Sequence, residues 1–480
     1  MTPVGRVRVV ASFTRASQPV HTSIDPVDLL AYSHDVFPLA LKAAGAGLPA
    51  AQPDVIAYPR TTDEVQRIVR AAQRSGLPIV PYGGGSGIVG GALPVRGGVV
   101  IEMKALAGLM ELDTVSGLAT FGAGTNGQRL EDTLNERGFT SGHYPQSLRS
   151  STLGGWIAHR ATGTASTRYG GIEHLVAGLD VVLPSGDLLR LSAQPRTAAG
   201  IDLRQLFLGA EGTMGVVVAA TLRVSELPES RRWTAISIPS FADGLAIVRL
   251  IVRSGLRPAV VRMYDALESA HRFAPAGVAT GHCVLLLSSE GDRELVRWQA
   301  RRFERIARAA GGRIEPPELA ELWWASRFDT PALLRTLGEP TGIADALEVA
   351  APWSRLVTVY DAMSDALTSS LDRGLGSTAV YGHTSHAYPD GANLYMIFHG
   401  HAQAESDVSD LYWRAVGAAL RACAESGGTI SHHHGIGIGK ARWLELEYGT
   451  AGLNLLRALQ AAVDPRRQFN PGKLGDTADA

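Results

Sequence analysis

The chain has 480 residues, 45% of them hydrophobic, a formal net charge of −1 and a mean hydropathy of +0.05. That length exceeds one compact core and predicts two or three domains, while the near-zero charge excludes nucleic acid, or a membrane held by bulk charge, as the basis of function. Cys283 and Cys423 stand alone, which makes neither a disulfide framework nor a zinc pattern and predicts a reducing, cytoplasmic setting.

Val4 to Val10 alternates arginine with valine and lacks an apolar h-region, so no signal peptide is expected. No apolar run approaches the ~20 residues of a membrane span. Residues 1–50 read as an arm with a short helix near Asp25–Ser33. A strand over Pro53–Pro59 follows. Thr61, with Asp63 and Glu64 behind it and Val65, Ile68, Val69 and Ala72 at helical spacing, predicts a capped helix that Ser75-Gly76 ends. The apolar run Leu77–Val80 then delivers Pro81, Tyr82, Gly83, Gly84, Gly85, Ser86 and Gly87. This is a β-α-β unit ending in a glycine loop. Glycines let a ligand approach the backbone closely, and successive amides in such a turn form a nest suited to a pyrophosphate. Gly85-x-Gly87-x-x-Gly90 matches the Rossmann fingerprint as a string. That fingerprint must open a helix, however, and Leu93–Ile101 reads as turn and strand. A glycine-rich hairpin that binds nothing fits the isolated loop equally well.

Strands over 99–105, 109–113 and 118–125 precede a helix from Asn126 to Arg137. A second small-residue stretch, Pro145 to Ala158, gathers amides and hydroxyls where a helix begins. A third, Gly209 to Val217, carries Glu211 into a strand over Val216–Val224. After Pro228 glycine clusters thin out. Strands near 234–238, 259–263 and 282–288 alternate with amphipathic helices over 291–310 and 352–372, and 316–352 shows no clear period. The glycine texture returns with Ser431-His432-His433-His434-Gly435, ahead of a helix near 450–463 and the closing Phe469-Asn470-Pro471-Gly472-Lys473. The expected divisions are an arm (1–50), a nucleotide-binding domain (51–228), a cap domain (229–430) and a C-terminal segment returning to the site (431–480).

Three spaced glycine stretches, a plain middle segment and a histidine- and glycine-rich C-terminal piece together resemble the flavoproteins of the vanillyl-alcohol oxidase superfamily. Within it, Ser151-Thr152-Leu153-Gly154-Gly155-Trp156, Arg160-Ala161-Thr162-Gly163, Ala351-Pro352-Trp353, Tyr388-Pro389-Asp390-Gly391-Ala392 and the triple histidine are similar to the alkyldihydroxyacetone-phosphate synthase family. The resemblance implies an α+β fold: a two-subdomain PCMH-type FAD-binding domain plus an α+β cap (substrate) domain with an antiparallel sheet. It implies FAD held by Pro81 to Gly87; by Pro145, Gln146, Ser147, Leu148, Arg149, Ser150 and Ser151; by Ala158, His159, Arg160 and Ala161; and by Glu211, Gly212, Thr213, Met214, Gly215, Val216 and Val217. Non-covalent FAD is expected, because the first loop offers Tyr82 and Ser86 and no histidine.

The implied reaction is an exchange without net redox. The acyl chain of acyl-dihydroxyacetone phosphate leaves as carboxylate and a fatty alcohol replaces it, through an adduct at flavin N5, in ether lipid synthesis. Tyr388 matches the family's catalytic tyrosine, which can move a proton if neighbouring cations lower its pKa; a buried tyrosine with a satisfied hydroxyl is the plain alternative. His432, His433 and His434 match the family's catalytic histidines. Neighbours in an extended segment face opposite ways, so at most two can meet one site; a metal site or a solvated loop is the commoner meaning of such a run. Arg262 and Arg335, with Arg327 as the alternative to Arg335, are the candidate substrate-binding cations, against the competing reading of surface ion pairs. No resident metal, a small-molecule or lipid substrate, a homodimer, and a cytoplasmic location open to peripheral membrane contact complete the expectation. The competing class is the FAD-linked D-2-hydroxyacid (D-lactate or glycolate type) dehydrogenases and oxidases, some of which hold a metal through paired histidines and a Glu-His-Gly segment. Here Gly382-His383 and Asp390–Leu394 fit that pattern, but Tyr395 stands for the second histidine and His433 for the glutamate, which weakens a hard-metal site.

Overall fold

Thr61 caps the helix Thr62–Ser75 by accepting from the Glu64 amide (3.2 Å), and Gly76 ends it at φ 69°. Val65, Ile68 and Val69, on the face the spacing marks as apolar, are fully buried. The flanking strands Val55–Tyr58 and Ile79–Tyr82 are not neighbours. Val99–Glu102 lies between them, parallel to both, and His21–Ser23 closes this four-stranded sheet. The computed structural model describes residues 3–49, 51–273, 277–279, 281–328, 331–371 and 378–475.

A second, antiparallel sheet of five strands runs in the order Leu109–Asp113, Leu118–Gly122, Val216–Arg223, Val176–Val182, Leu188–Leu191. The two sheets frame the first half of the chain. The second half is built on a seven-stranded antiparallel sheet: Arg313–Glu315, Ser230–Ile238, Cys283–Gly291, Val260–Tyr264, Ala379–Thr384, Gly391–His401, Gly342–Pro352. The helices Phe241–Arg253, Arg293–Ala309, Leu356–Leu371 and Val408–Glu425 contribute Leu245, Phe303, Met363 and Leu420 to its apolar core. The α+β architecture with an antiparallel cap sheet is therefore as expected.

Two regions were not legible beforehand. Pro3–Ser17 is a helix, although its Arg/Val alternation has no helical period; Phe13 anchors it in one core with Val65 and Ile68. The unreadable 316–352 stretch holds the helices Glu318–Ser326 and Pro331–Gly338 and then the 11-residue cap strand Gly342–Pro352. That strand pairs with Gly391–His401 in unbroken register, from Gly342 opposite His401 to Pro352 opposite Gly391.

The last 50 residues tie the halves together. Phe469 bridges Ile79 in parallel, with Ile79 N donating to Gln468 O and Asn470 N to Ile79 O, both at 2.7 Å. The Asn470 amide then donates to Gly91 O (2.7 Å) and Glu211 O (2.6 Å), clasping the first and third glycine stretches. Among the described residues no helix is long and apolar enough to cross a membrane.

Candidate active site

The first two glycine-rich stretches are pressed together. A Cβ added at Gly83 would lie 2.2 Å from Thr152 Oγ1, and one at Gly84 1.9 Å from Ser150 O. Thr152 caps the helix Leu153–His159, so the second stretch does open a helix. These loops line a cavity of about 530 Å³ that continues into the cap domain. Pro81–Gly87 line it, as do Pro145–Ser147, Ser150, Ser151, Ala158, His159, Ala161, Glu211, Gly212, Gly215 and Val217. Of the remaining expected cofactor residues, Leu148, Met214 and Val216 belong to the apolar cores. The Thr213 hydroxyl is turned to Ala210 O (2.7 Å), and Arg160 serves as a left-handed helix cap. Arg149 lies over the Phe328 ring, beside the cavity.

A dinucleotide fits this lining. The glycine loops offer backbone at positions where side chains would collide, and His159 lines the cavity with its buried Nε2 lacking a hydrogen-bond partner among the described residues. His159 Nε2 also lies 2.5 Å from where a Cβ of Gly91 would sit. A histidine therefore does stand beside the first glycine loop; it arrives from a different stretch, which the loop's own residues could not reveal.

From the cap side, His433, His434, Arg262, Tyr395, His383, His386 and Arg327 line the same cavity. Tyr388 and His432 do not, and Arg335 is exposed on the helix Pro331–Gly338, outside the lining. Two of the three histidines thus reach the cavity. They are adjacent residues, because 431–434 is a bend rather than a strand and facial alternation does not apply.

Glu348, fully buried in the strand Gly342–Pro352, sets that bend. Its Oε1 accepts from Ser431 Oγ (2.7 Å) and from the amides of His432 (3.1 Å), His433 (3.0 Å) and His434 (2.6 Å). Its Oε2 pairs with the buried Lys440 ammonium. Burial alone would raise this carboxyl, but Lys440 and His434 outweigh it and hold it well below the usual range. Glu211 does the same from the other domain: its carboxylate accepts from Ile436 N (2.5 Å) and Gly437 N (3.0 Å). Its side chain is therefore a loop anchor.

Arg262 is held by its neighbours. Its Nε donates to Tyr264 OH (2.9 Å) and its NH2 lies 2.9 Å from His383 Nε2, whose Nδ1 lies 2.6 Å from Glu268 Oε2. Burial would raise the Glu268 carboxyl, but His383, Arg272 and Arg262 bring it down to about 2. Arg327 sits over Trp324 (3.5 Å) and Phe328 (4.2 Å); burial, with Arg231 and Arg149 nearby, lowers its guanidinium to about 10. The Tyr388 hydroxyl is 2.8 Å from His432 Nε2, but no cation lowers its pKa. Burial, then Glu173 and Asp390, raise it.

Burial depresses both His383 and His432 to about 4, from 6.5. Between those values the unfolded chain takes up protons that the folded one refuses, so stability falls as pH drops from 6.5 towards 4. For His383 this is on the order of 3 kcal/mol. Glu268 adds a further loss as pH falls from 4.5 towards 2. Urea midpoints at pH 7.5, 5.5 and 4.5 should decline in that order; a flat series would contradict the buried neutral histidines.

His386 was not expected as a site residue; Arg327 was expected only as the alternative to Arg335, and His383 and Tyr395 only as positions of the competing metal pattern. His383 and Tyr395 lie on the paired strands Ala379–Thr384 and Gly391–His401, His386 lies between those strands, and Arg327 follows the helix Glu318–Ser326, so no spacing along the chain makes the four neighbours.

Comparison with known proteins agrees with this geometry. Residues 53–192 match the family described as FAD binding domain, and residues 227–474 match FAD linked oxidases, C-terminal domain. Alkyldihydroxyacetonephosphate synthase of Trypanosoma brucei brucei is 28% identical over 451 residues, covering 88% of this chain and 73% of the relative. Glycolate oxidase subunit GlcD of Bacillus subtilis is 30% identical over 455 residues, covering 93% and 92%. A solved alkyldihydroxyacetonephosphate synthase superposes with a TM-score of 0.80 at 24% identity, over 97% of this chain and 84% of that one, which shows the shared fold.

Proposed function

Because the chain belongs to the FAD-linked oxidase family, with FAD as its cofactor, we propose that it is an alkyldihydroxyacetone-phosphate synthase-like enzyme, exchanging the acyl chain of acyl-dihydroxyacetone phosphate for a fatty alcohol. One observation carries this reading. A single cavity joins the glycine loops to Arg262, Arg272 and Arg327, to the apolar Trp323, Phe328, Leu334 and Ile397, and to His433, His434 and Tyr395. Cations suit a phosphate, the apolar wall suits a chain, and the histidines and tyrosine suit proton movement.

Pro81–Gly87 with Ser150–Thr152 would hold the pyrophosphate, and His159 lines the same wall of the cavity. Bound FAD supplies a ring that can take up and return an electron pair at the substrate carbon. Arg327, weakly hydrated between two aromatic rings, binds the phosphate dianion; Arg335, eight residues on, is solvated and has no part. Arg262 is oriented by Tyr264 and His383 before substrate arrives. The apolar lining excludes water from the exchange, so that alcohol and not water replaces the acyl chain.

The Bacillus relative favours a second reading, oxidation of a D-2-hydroxyacid. Against it, the phenol of Tyr395 lies 2.6 Å from His433 Nε2, the atom that would face a metal in that class. Two measurements separate the readings. Labelled hexadecanol should enter alkyl-dihydroxyacetone phosphate, and D-lactate or D-2-hydroxyglutarate should leave the flavin absorbance unchanged; bleaching without exchange reverses the assignment. Tyr388→Phe should lower exchange at least roughly 100-fold with FAD retained, and unchanged turnover would remove Tyr388 from the reaction.

A further inference from the structure

Four side chains from two distant segments form one hydrogen-bonded line. Tyr388 OH lies 2.8 Å from His432 Nε2, His432 Nδ1 lies 2.7 Å from His433 Nδ1, and His433 Nε2 lies 2.6 Å from Tyr395 OH. Both nitrogens of each imidazole are used within the line. Tyr395 lines the cavity, whereas Tyr388 and His432 do not, and Tyr388 is half-buried beside exposed Pro389 and Asp390. The line therefore runs from the cavity towards the surface.

Its middle contact decides its chemistry. A hydrogen bond between two Nδ1 atoms needs one N–H and one lone pair, and a neutral imidazole carries a single N–H. One ring must then be the Nδ1–H tautomer and the other the Nε2–H tautomer. If His433 holds its proton on Nδ1, it accepts at Nε2 from Tyr395, donates to His432 Nδ1, and His432 Nε2–H donates to Tyr388, whose own proton points outward. If His432 holds its proton on Nδ1, every hydrogen reverses and the Tyr395 proton points into the cavity. The two arrangements have the same atoms and no net charge on any member. Burial keeps both rings neutral: His432 is pushed down to about 4 and His433 well below its ordinary value. Glu348 fixes the backbone of both rings, at 3.1 and 3.0 Å.

We propose that Tyr388, His432, His433 and Tyr395 form a proton wire that works by tautomer reversal, with Tyr395 as its cavity end. The wire's use rests on the exchange reading above; its existence does not. In the exchange, the entering alcohol loses its O–H proton and the acyl chain departs as a carboxylate, so each turnover releases one proton into the cavity. The Tyr395 oxygen accepts it while the Tyr395 proton passes to His433 Nε2. The His433 Nδ1 proton passes to His432 Nδ1, the His432 Nε2 proton to Tyr388, and the Tyr388 proton to solvent. One proton enters and one leaves, no ring becomes charged, and the line is left in the reversed arrangement, so the hydroxyls and tautomers return to the first arrangement before the next proton passes.

The test is ¹⁵N–¹H NMR of the holoenzyme labelled only at histidine, at pH 7.5, with His432→Gln and His433→Gln used to assign the two rings. Two neutral rings of opposite tautomer are expected. Two rings of the same tautomer, or a charged ring, would overturn the wire. On the kinetic side, Tyr395→Phe should retain FAD and slow exchange about 100-fold; Tyr388→Phe should match it, and the double variant should be no slower than either. A Tyr395→Phe enzyme exchanging at the wild-type rate would also overturn the proposal. Opposite tautomers in a protein that exchanges no acyl-dihydroxyacetone phosphate would support the wire and sink the reaction reading instead.

Discussion

Glu348→Ala should abolish FAD retention and lower stability by at least about 4 kcal/mol. The carboxylate is fully buried and gathers three consecutive backbone amides, a serine hydroxyl and the Lys440 ammonium, whose side chain is 3% exposed. Its removal leaves a buried cation with no counter-charge and three amides with no acceptor. An unpaired buried charge alone costs about 3–5 kcal/mol, and each unsatisfied donor adds about 1–3 kcal/mol. The loop 431–440 cannot keep its bend under that load, and His433 and His434 leave the cavity. Glu348→Gln keeps an acceptor for the amides but not the charge, so it should fall between wild type and Glu348→Ala. Thermal melts and flavin absorbance after gel filtration read both effects. A yellow Glu348→Ala protein with the wild-type melt would show that the loop holds itself.

The second large effect is expected at Gly84. Alanine there would place its Cβ 1.9 Å from the Ser150 carbonyl oxygen, against an ordinary contact of about 3.5 Å. The obstacle is backbone, so it cannot rotate aside, and the first two glycine loops must separate. We expect Gly84→Ala to be folded by circular dichroism yet colourless, with FAD affinity lowered at least roughly 100-fold, about 2.7 kcal/mol. Gly76→Ala is the control. Its φ of 69° makes alanine strained, but nothing lies within 4 Å of the added carbon, so it should cost about 1 kcal/mol of stability and leave FAD bound. Equal FAD binding by both variants would mean that the loops do not grip the cofactor through their closeness.

The amino-acid order by itself determined the local events. Thr61 before two acids, Gly76 after a helical run, and Pro81–Gly87 after an apolar strand are each decided by residues within a few positions, through φ preference, capping and periodicity. That is why the loops and most strands were legible, whereas the cofactor class was legible only through the family resemblance of several motifs taken together. Glu348 was also open to inference in principle, since a carboxylate within the otherwise apolar run Leu347–Ala351 needs a buried partner, but nothing nearby names Lys440 or the amides of 432–434. Only the tertiary structure put Arg327 and not Arg335 in the cavity lining, sent Glu211 to a loop it never meets in sequence, and brought His159 beside Gly91. It also placed Tyr395, and not Tyr388, at the cavity wall. Those choices depend on sheet order and on partners 38 to 92 residues apart or more, where packing and charge pairing act and spacing along the chain carries no information.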